Sequence, residues 1–388
     1  MQVEVQVEPM RAVLERSAVA DLRERLDRTR WSGLGAGVPG GAVDWRAGVP
    51  LEWLRDLVDD WRRFDVDGFQ GRLDALEHIR CSIGGRAVHA IRCPGAGPHP
   101  TPLVLTHGWP GSCLEYLDLI GPLTDPGRHG GDPARSFDVI VPSLPGFGWS
   151  APPPPGGLVA AEVAGLWHRL VTEGLGYRRY AAHGSDLGAG VTAWLARLHP
   201  DAVTAIHLAT PGLGRPPQPW SAEEAAHFAE VDAWSAEEGG YSHQHATKPA
   251  TLAAALADSP AGLAAWIGEK VVAWSSRRPD GGPAFDRDLL LGTLTLYWAT
   301  GTIGTSLLPY LAYRRRPDAA LPADRPGPVP TAVSIFGGER VPFPKPPRRL
   351  AERYFDVTAW AEHDIGGHFP AVAEPALLAR TLGATLAV

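Results

Sequence analysis

The chain has 388 residues, 44% of them hydrophobic and 20% charged, with a net charge of −7. That is the composition of a soluble globular protein of one large domain or two, and an acidic chain offers no basic field for nucleic acid. Three cysteines without metal-type spacing make no disulfide framework, which fits a cytoplasmic setting, and the fourteen histidines form no metal-ligand pattern.

The first eight residues alternate apolar and polar side chains like a strand, and they lack the basic start and apolar core of a signal peptide. No apolar run reaches the roughly 18 residues that a membrane span needs, so no membrane partner is expected. Residues 19–30 and 51–64 repeat with helical period, the second carrying Leu54, Leu57, Val58, Trp61 and Phe64 on one stripe. The glycine-rich residues 33–41 between them read as a connector, since no strand leads into them as a dinucleotide loop requires.

From about residue 79 short strands begin to alternate with helices. Strands are predicted at 78–83, 87–92, 102–106, 138–142, 177–183, 204–209, 331–336 and 357–362, and helices at 159–173, 189–198, 346–354 and 375–386. This predicts an α/β class, a mostly parallel sheet flanked by helices. The alternation stops at Gly212 and resumes near Pro328. Between them lie helix-forming stretches at 222–230, 251–257, 263–274 and 288–298, then a proline-rich run at 316–330. Such an insertion makes a helical lid over the C-terminal strand ends, where α/β sheets bind ligands. The expected division is an N-terminal extension leading into the first core strands (1–95), a first core part (96–211), the lid (212–327) and a second core part (328–388).

The most informative turn is Gly184-Ser185-Asp186-Leu187-Gly188. A strand leads in, a helix leads out, and glycines stand two before and two after a central residue, as in the nucleophile elbow of hydrolases. Here the centre is an aspartate. A carboxylate attacks saturated carbon and leaves an alkyl ester on the enzyme, which water must then cut. The competing reading is an Asp that merely caps the following helix.

Three further positions favour a nucleophile. His368, on a glycine-hinged loop after the last strand, stands where the hydrolase order of nucleophile, acid and histidine puts the general base. Glu339, after the strand that follows the lid, is the expected acid behind it; Asp364, four residues before His368 on the same loop, is the runner-up. The backbone N–H groups of Leu187 and of Trp109, in His107-Gly108-Trp109-Pro110, are the expected oxyanion hole. His107 itself reads as a structural hydrogen-bonding residue.

These motifs, together with Pro145-Gly146-Phe147-Gly148-Trp149-Ser150, Gly239-Gly240-Tyr241, Thr247-Lys248-Pro249, residues 258–265, Tyr297-Trp298 with Gly301-Thr302-Ile303, and Gly366-Gly367-His368-Phe369, resemble the microsomal-type epoxide hydrolases over nearly the whole chain. An N-terminal stretch from Leu22 to Trp31 is also similar to that family's. The resemblance implies an α/β-hydrolase fold, no cofactor, and hydrolysis of a small-molecule epoxide to a vicinal diol. It also implies two lid tyrosines that hydrogen-bond the epoxide oxygen and protonate it. Tyr241 matches the first, Tyr310 the second, and Tyr313, one helical turn on, competes with Tyr310.

The chain departs from the family in carrying Leu187 where Trp is common, which implies an altered pocket with the N–H retained. Bacterial relatives include secondary-metabolism enzymes, some acting on enediyne precursors, so an aryl or polyunsaturated natural-product epoxide is the expected substrate, with detoxification of small epoxides the alternative. Homo-oligomerisation stays open. A haloalkane dehalogenase, which also alkylates an elbow Asp, and a non-catalytic hydrolase-fold binding protein are the alternatives. Leu187 and the tyrosines argue against the first, and the intact set of Asp186, Glu339 and His368 against the second.

Overall fold

The structure, a computed structural model, describes residues 5–31, 45–323 and 325–387; the connector read at 33–41 lies outside the described residues. The N-terminal region comprises β1 (Gln6–Met10), α1 (Arg16–Asp27), α2 (Leu51–Arg63) and α3 (Val66–Asp74). Helical spacing decides which faces are buried: Val19, Leu22 and Leu26 on α1, and Leu57, Val58 and Trp61 on α2. The core then runs β2 (Glu77–Ile83), β3 (Arg86–Cys93), β4 (Thr101–Thr106), α4 (Leu117–Thr124), β5 (Phe137–Pro142), α5 (Ala160–Arg169), β6 (Tyr180–Ser185), α6 (Leu187–Leu198) and β7 (Val203–Ala209).

Among the described residues seven α-helices separate β7 from the next strand: α7 (Ala222–Glu238), α8 (Gly240–Thr247), α9 (Pro249–Asp258), α10 (Pro260–Trp274), α11 (Arg287–Thr300), α12 (Ile303–Ser306) and α13 (Leu308–Arg315). β8 (Gly327–Gly337), α14 (Arg348–Ala351), β9 (Phe355–Gly366), α15 (Pro370–Ala373) and α16 (Pro375–Thr385) complete the chain.

The sheet order is β1-β2-β3-β5-β4-β6-β7-β8-β9. Pairings from β5 through β9 are parallel, while those joining β1, β2, β3 and β5 are antiparallel. The sheet is therefore mixed, and the reason is local. Gly84 and Gly85, both at positive φ (58° and 78°), close a two-residue turn that folds β3 back on β2. Along the parallel part, β4, β6, β7 and β8 bring their C-terminal ends to one edge beneath the lid.

The N-terminal helices brace the lid. Trp61 Nε1 donates to Thr295 Oγ1 on α11 (2.9 Å), Arg287 pairs with Asp60 (2.7 Å) and Arg25 with Asp258 (2.6 Å). Trp149 Nε1 ties the chain before α1 to the core by donating to Val13 O (3.1 Å). Among the described residues no single helix is long and apolar enough to cross a membrane.

Candidate active site

Asp186 sits between β6 and α6 at φ 51° and ψ −125°, a conformation that L-residues seldom adopt and that stores strain at functional turns. The flanking glycines make the turn possible by close approach. A Cβ on Gly184 would lie 2.2 Å from Gly188 O, and one on Gly188 would lie 1.9 Å from Thr106 O. Although Asp186 occupies the N-cap position of α6, its side chain makes no capping hydrogen bond. Its Oδ1 instead accepts the N–H of Trp109 at 2.8 Å. A Cβ on Gly108 would meet that same oxygen at 2.2 Å, so only glycine lets the loop come so near.

Enclosure by protein resists ionisation of Asp186, but the imidazole of His368 and the N–H groups of Trp109 and Leu187 outweigh it and hold the pKa below the usual carboxylate value. Both expected oxyanion donors thus serve the carboxylate first. His368 Nε2 lies 3.4 Å from Asp186 Oδ2, within ion-pair range but with no hydrogen-bond partner among the described residues. Its backbone N–H donates to Trp274 O (2.9 Å), and its ring stacks on Phe343 (centroids 4.9 Å apart) and tilts against Trp274 (5.1 Å).

The expected contact between Glu339 and His368 is not made. Among the described residues neither Glu339 nor Asp364 forms an ion pair or hydrogen bond with the imidazole; the buried Glu339 carboxylate pairs with the ammonium of Lys345. The Lys345 ammonium already satisfies this desolvated carboxylate with a charge-assisted hydrogen bond. The two loops are nonetheless stitched together, because Gly337 pairs with Gly366 in the sheet and Gly367 N–H donates to Gly337 O (2.9 Å).

Tyr241, on α8, and Tyr310, on α13, bring their rings edge to face at 6.0 Å above Asp186. Burial, with the charge of Asp186, holds both phenols protonated well above the ordinary range; their mutual hydrogen bonding lowers Tyr241 and raises Tyr310. Tyr313 lines the same cleft as these two, and its hydroxyl accepts the N–H of Ala160 at the start of α5 (3.2 Å). Asp186, Tyr241, Tyr310 and His368 share the wall of one cleft of about 410 Å³, with Leu187, Trp194, Phe343 and Tyr354 among its apolar sides. The Leu187 side chain also closes a small apolar recess lined by Leu144, Pro145 and Pro309.

His107 is held on both ring nitrogens. Its Nε2 accepts the N–H of Leu144 (3.1 Å), so Nδ1 carries the proton and donates to Gly108 O (3.0 Å). Burial lowers its pKa to about 4. This is the structural role that the sequence suggests, and it fixes the loop that presents Trp109.

Sequence reasoning missed four neighbours: Phe343, Trp274 as a wall of His368, His245 and Lys270. His245 follows Tyr241 by one helical turn, which could have flagged it; its ring packs against Trp109 (4.7 Å) and Tyr310 (4.8 Å), and its Nε2 accepts from Trp266 Nε1 (3.1 Å). Of the other lid tryptophans, Trp220 packs on Phe228, Trp298 lies under Arg25, and Trp234 stacks behind Phe343.

Comparison with known proteins agrees with this layout. Residues 7–116 match the family described as epoxide hydrolase N terminus, and residues 101–238 match the alpha/beta hydrolase fold. The chain is 38% identical over 381 residues to a Stigmatella aurantiaca protein assigned to the epoxide hydrolases, covering 97% of this chain and 84% of that one. It is 31% identical to epoxide hydrolase 1 of Oryctolagus cuniculus, covering 97% and 88%. The solved structure of Aspergillus niger epoxide hydrolase superposes with a TM-score of 0.82 at 25% identity, covering 99% of this chain and 96% of that one. The chain belongs to the microsomal-type epoxide hydrolases, on an α/β-hydrolase fold.

Proposed function

We propose that the protein opens an epoxide to a vicinal diol through an ester on Asp186. A carboxylate oxygen of Asp186 attacks an epoxide carbon, the carbon–oxygen bond breaks, and the oxygen keeps the electron pair and takes a phenolic proton from Tyr241 or Tyr310. His368 then removes a proton from water, which adds to the ester carbonyl while the N–H groups of Trp109 and Leu187 hold the oxyanion. Collapse of that intermediate releases the diol, its new hydroxyl taking the proton from His368, and the phenolate recovers a proton from the regenerated carboxyl group.

Glu339 is the acid we assign to stabilise the His368 imidazolium. Support comes from its burial, its place in the chain order and the backbone bond between its loop and that of His368.

The observation that carries the reading is the orientation of Asp186. Its carboxylate leaves its own helix uncapped and is held by Trp109 N–H, facing His368 and two phenols across one cleft. The apolar walls of that cleft suit an aryl or extended natural-product epoxide. Styrene oxide is therefore the first probe. In a single turnover in heavy-oxygen water its diol should carry unlabelled enzyme oxygen and Asp186 should acquire the label; labelled diol in that turnover would exclude the ester.

One observation favours a dehalogenase as second reading: the indole N–H groups of Trp109 and Trp274 are buried with no partner among the described residues, the kind of donor a halide needs. Neither indole lines the cleft, whereas both tyrosines do. Chloride release from a haloalkane at a rate matching diol formation would reverse the choice.

A further inference from the structure

Lys270 lies on α10 with only 8% of its surface exposed. Its Nζ stands over the ring of Tyr241, 5.0 Å from the centroid, and 5.8 Å from that of Trp274. Its ion-pair partner is Glu269, at 2.8 Å, the residue before it. A buried ammonium is costly to desolvate, and a hydrophobic side chain of similar volume would serve the lid at least as well. Something beyond packing is needed to account for it.

The chemistry assigned to Tyr241 provides a reason. When the epoxide oxygen takes the phenolic proton, the ring acquires the negative charge. Burial and the nearby carboxylates of Asp186 and Glu269 all oppose that charge. An ammonium over the ring face opposes them, and its attraction to the ring strengthens as a neutral phenol becomes phenolate. It therefore favours the transition state over the ground state, the condition for a rate effect.

We propose that Lys270 is a positioning residue for epoxide opening, acting through Tyr241 by holding a positive charge over its ring while the phenolic proton moves to the departing oxygen. The inference rests on Tyr241 being a proton donor. It assigns Lys270 no part in cutting the ester, where water, His368 and the oxyanion hole carry the charge.

Rapid mixing with styrene oxide separates ester formation from ester hydrolysis. Lys270→Met should slow ester formation by about 10–30-fold, the range expected for losing a desolvated cation–π contact. Ester hydrolysis should stay within about twofold, and Lys270→Arg should restore most of the loss. In a Tyr241→Phe background the same Lys270→Met change should do nothing further, because no phenolate forms at that position.

An equal slowing with and without the Tyr241 hydroxyl would overturn the proposal, as would equal slowing of both steps or no slowing of ester formation. Lys270→Gln, neutral and able to hydrogen-bond Glu269, gives the same comparison if the methionine variant does not fold. If Tyr241→Phe leaves ester formation unchanged, the donor role of Tyr241 fails first. If Tyr241→Phe slows it and Lys270→Met does not, only the role of Lys270 fails.

Discussion

Glu339 is the carboxylate for which structure and the proposed chemistry compete. In the structure it neutralises Lys345, whose own pKa burial pushes down and the carboxylate pulls back up. Once His368 takes a proton from water the competition changes, because an imidazolium now asks for the same charge. Glu339→Gln should leave formation of the Asp186 ester within about threefold and slow its hydrolysis by up to about 10⁴, the size of the loss when the acid of a hydrolase triad is replaced by its amide. Mass spectrometry would then find the alkylated protein accumulating during turnover. Unchanged hydrolysis would transfer the supporting role elsewhere, Asp364 being next in line. Leu187 poses the opposite case. The N–H of this residue contributes to holding Asp186 and the residue lines the cleft, so we expect a departure from the family's usual residue here to alter selectivity more than the chemistry.

At the scale of elements, the elbow depends on two strand-to-helix distances that admit no side chain. Gly188→Ala would set a methyl group 1.9 Å from Thr106 O, a backbone atom of a central strand that cannot swing aside. The expected cost is about 3 kcal/mol or more, seen as a lowered urea midpoint, with activity lost in whatever protein stays folded. A midpoint within experimental error of wild type would mean that β4 and α6 separate more easily than their packing implies. This steric need is also why the elbow was legible in sequence, since glycines at fixed spacing around one residue leave a signature. The strands were legible for a similar reason: short β-branched runs bounded by turn residues.

Elements whose definition comes from their neighbours were not legible. Helix α8 follows Gly239 and begins with Gly240, has no apolar stripe, and forms by packing on α13 within the lid. The helix read at 346–354 shrinks to Arg348–Ala351 because Pro346 and Pro347 precede it and the chain turns at once into β9. β6 begins three residues later than predicted, at Tyr180, and runs on through Gly184 and Ser185 to the elbow. The pairing of Glu339 with Lys345 was equally hidden, because it depends on which neighbouring side chain reaches a buried carboxylate.

Across the whole molecule, buried imidazoles thread the sheet that carries the site. Ser143 Oγ donates to His89 Nδ1 (2.8 Å), His89 Nε2 donates to His78 Nδ1 (2.9 Å), and His78 Nε2 donates to Leu73 O (2.9 Å). The final carbonyl can only accept, so every direction in that chain is fixed and each ring holds one proton. A second chain joins His183 to His207 and His207 to Ser334, each at 2.9 Å, across β6, β7 and β8 beneath Asp186. Burial lowers the pKa of all four rings, that of His183 to about 4. Because the folded values lie below the unfolded value of about 6.5, these rings contribute stability that is fully present above that value and is lost as the pH falls through the folded pKa. For His183 alone the loss reaches about 3 kcal/mol by pH 4. Asp186, also lowered, gives up its share only in a more acidic window, below the ordinary carboxylate value. Among the described residues the lowered rings outnumber the one buried carboxyl of opposite slope, Glu115, whose raised pKa adds stability as the pH falls. The free energy of unfolding in urea should therefore change little from pH 8 to about 7 and fall between about 6.5 and 4.5, with activity lost along with the fold because the second chain lies under the elbow. A level profile down to pH 4.5 would mean that the rings take up protons without cost, and the neutral hydrogen-bonded chains would no longer account for how this sheet holds Asp186.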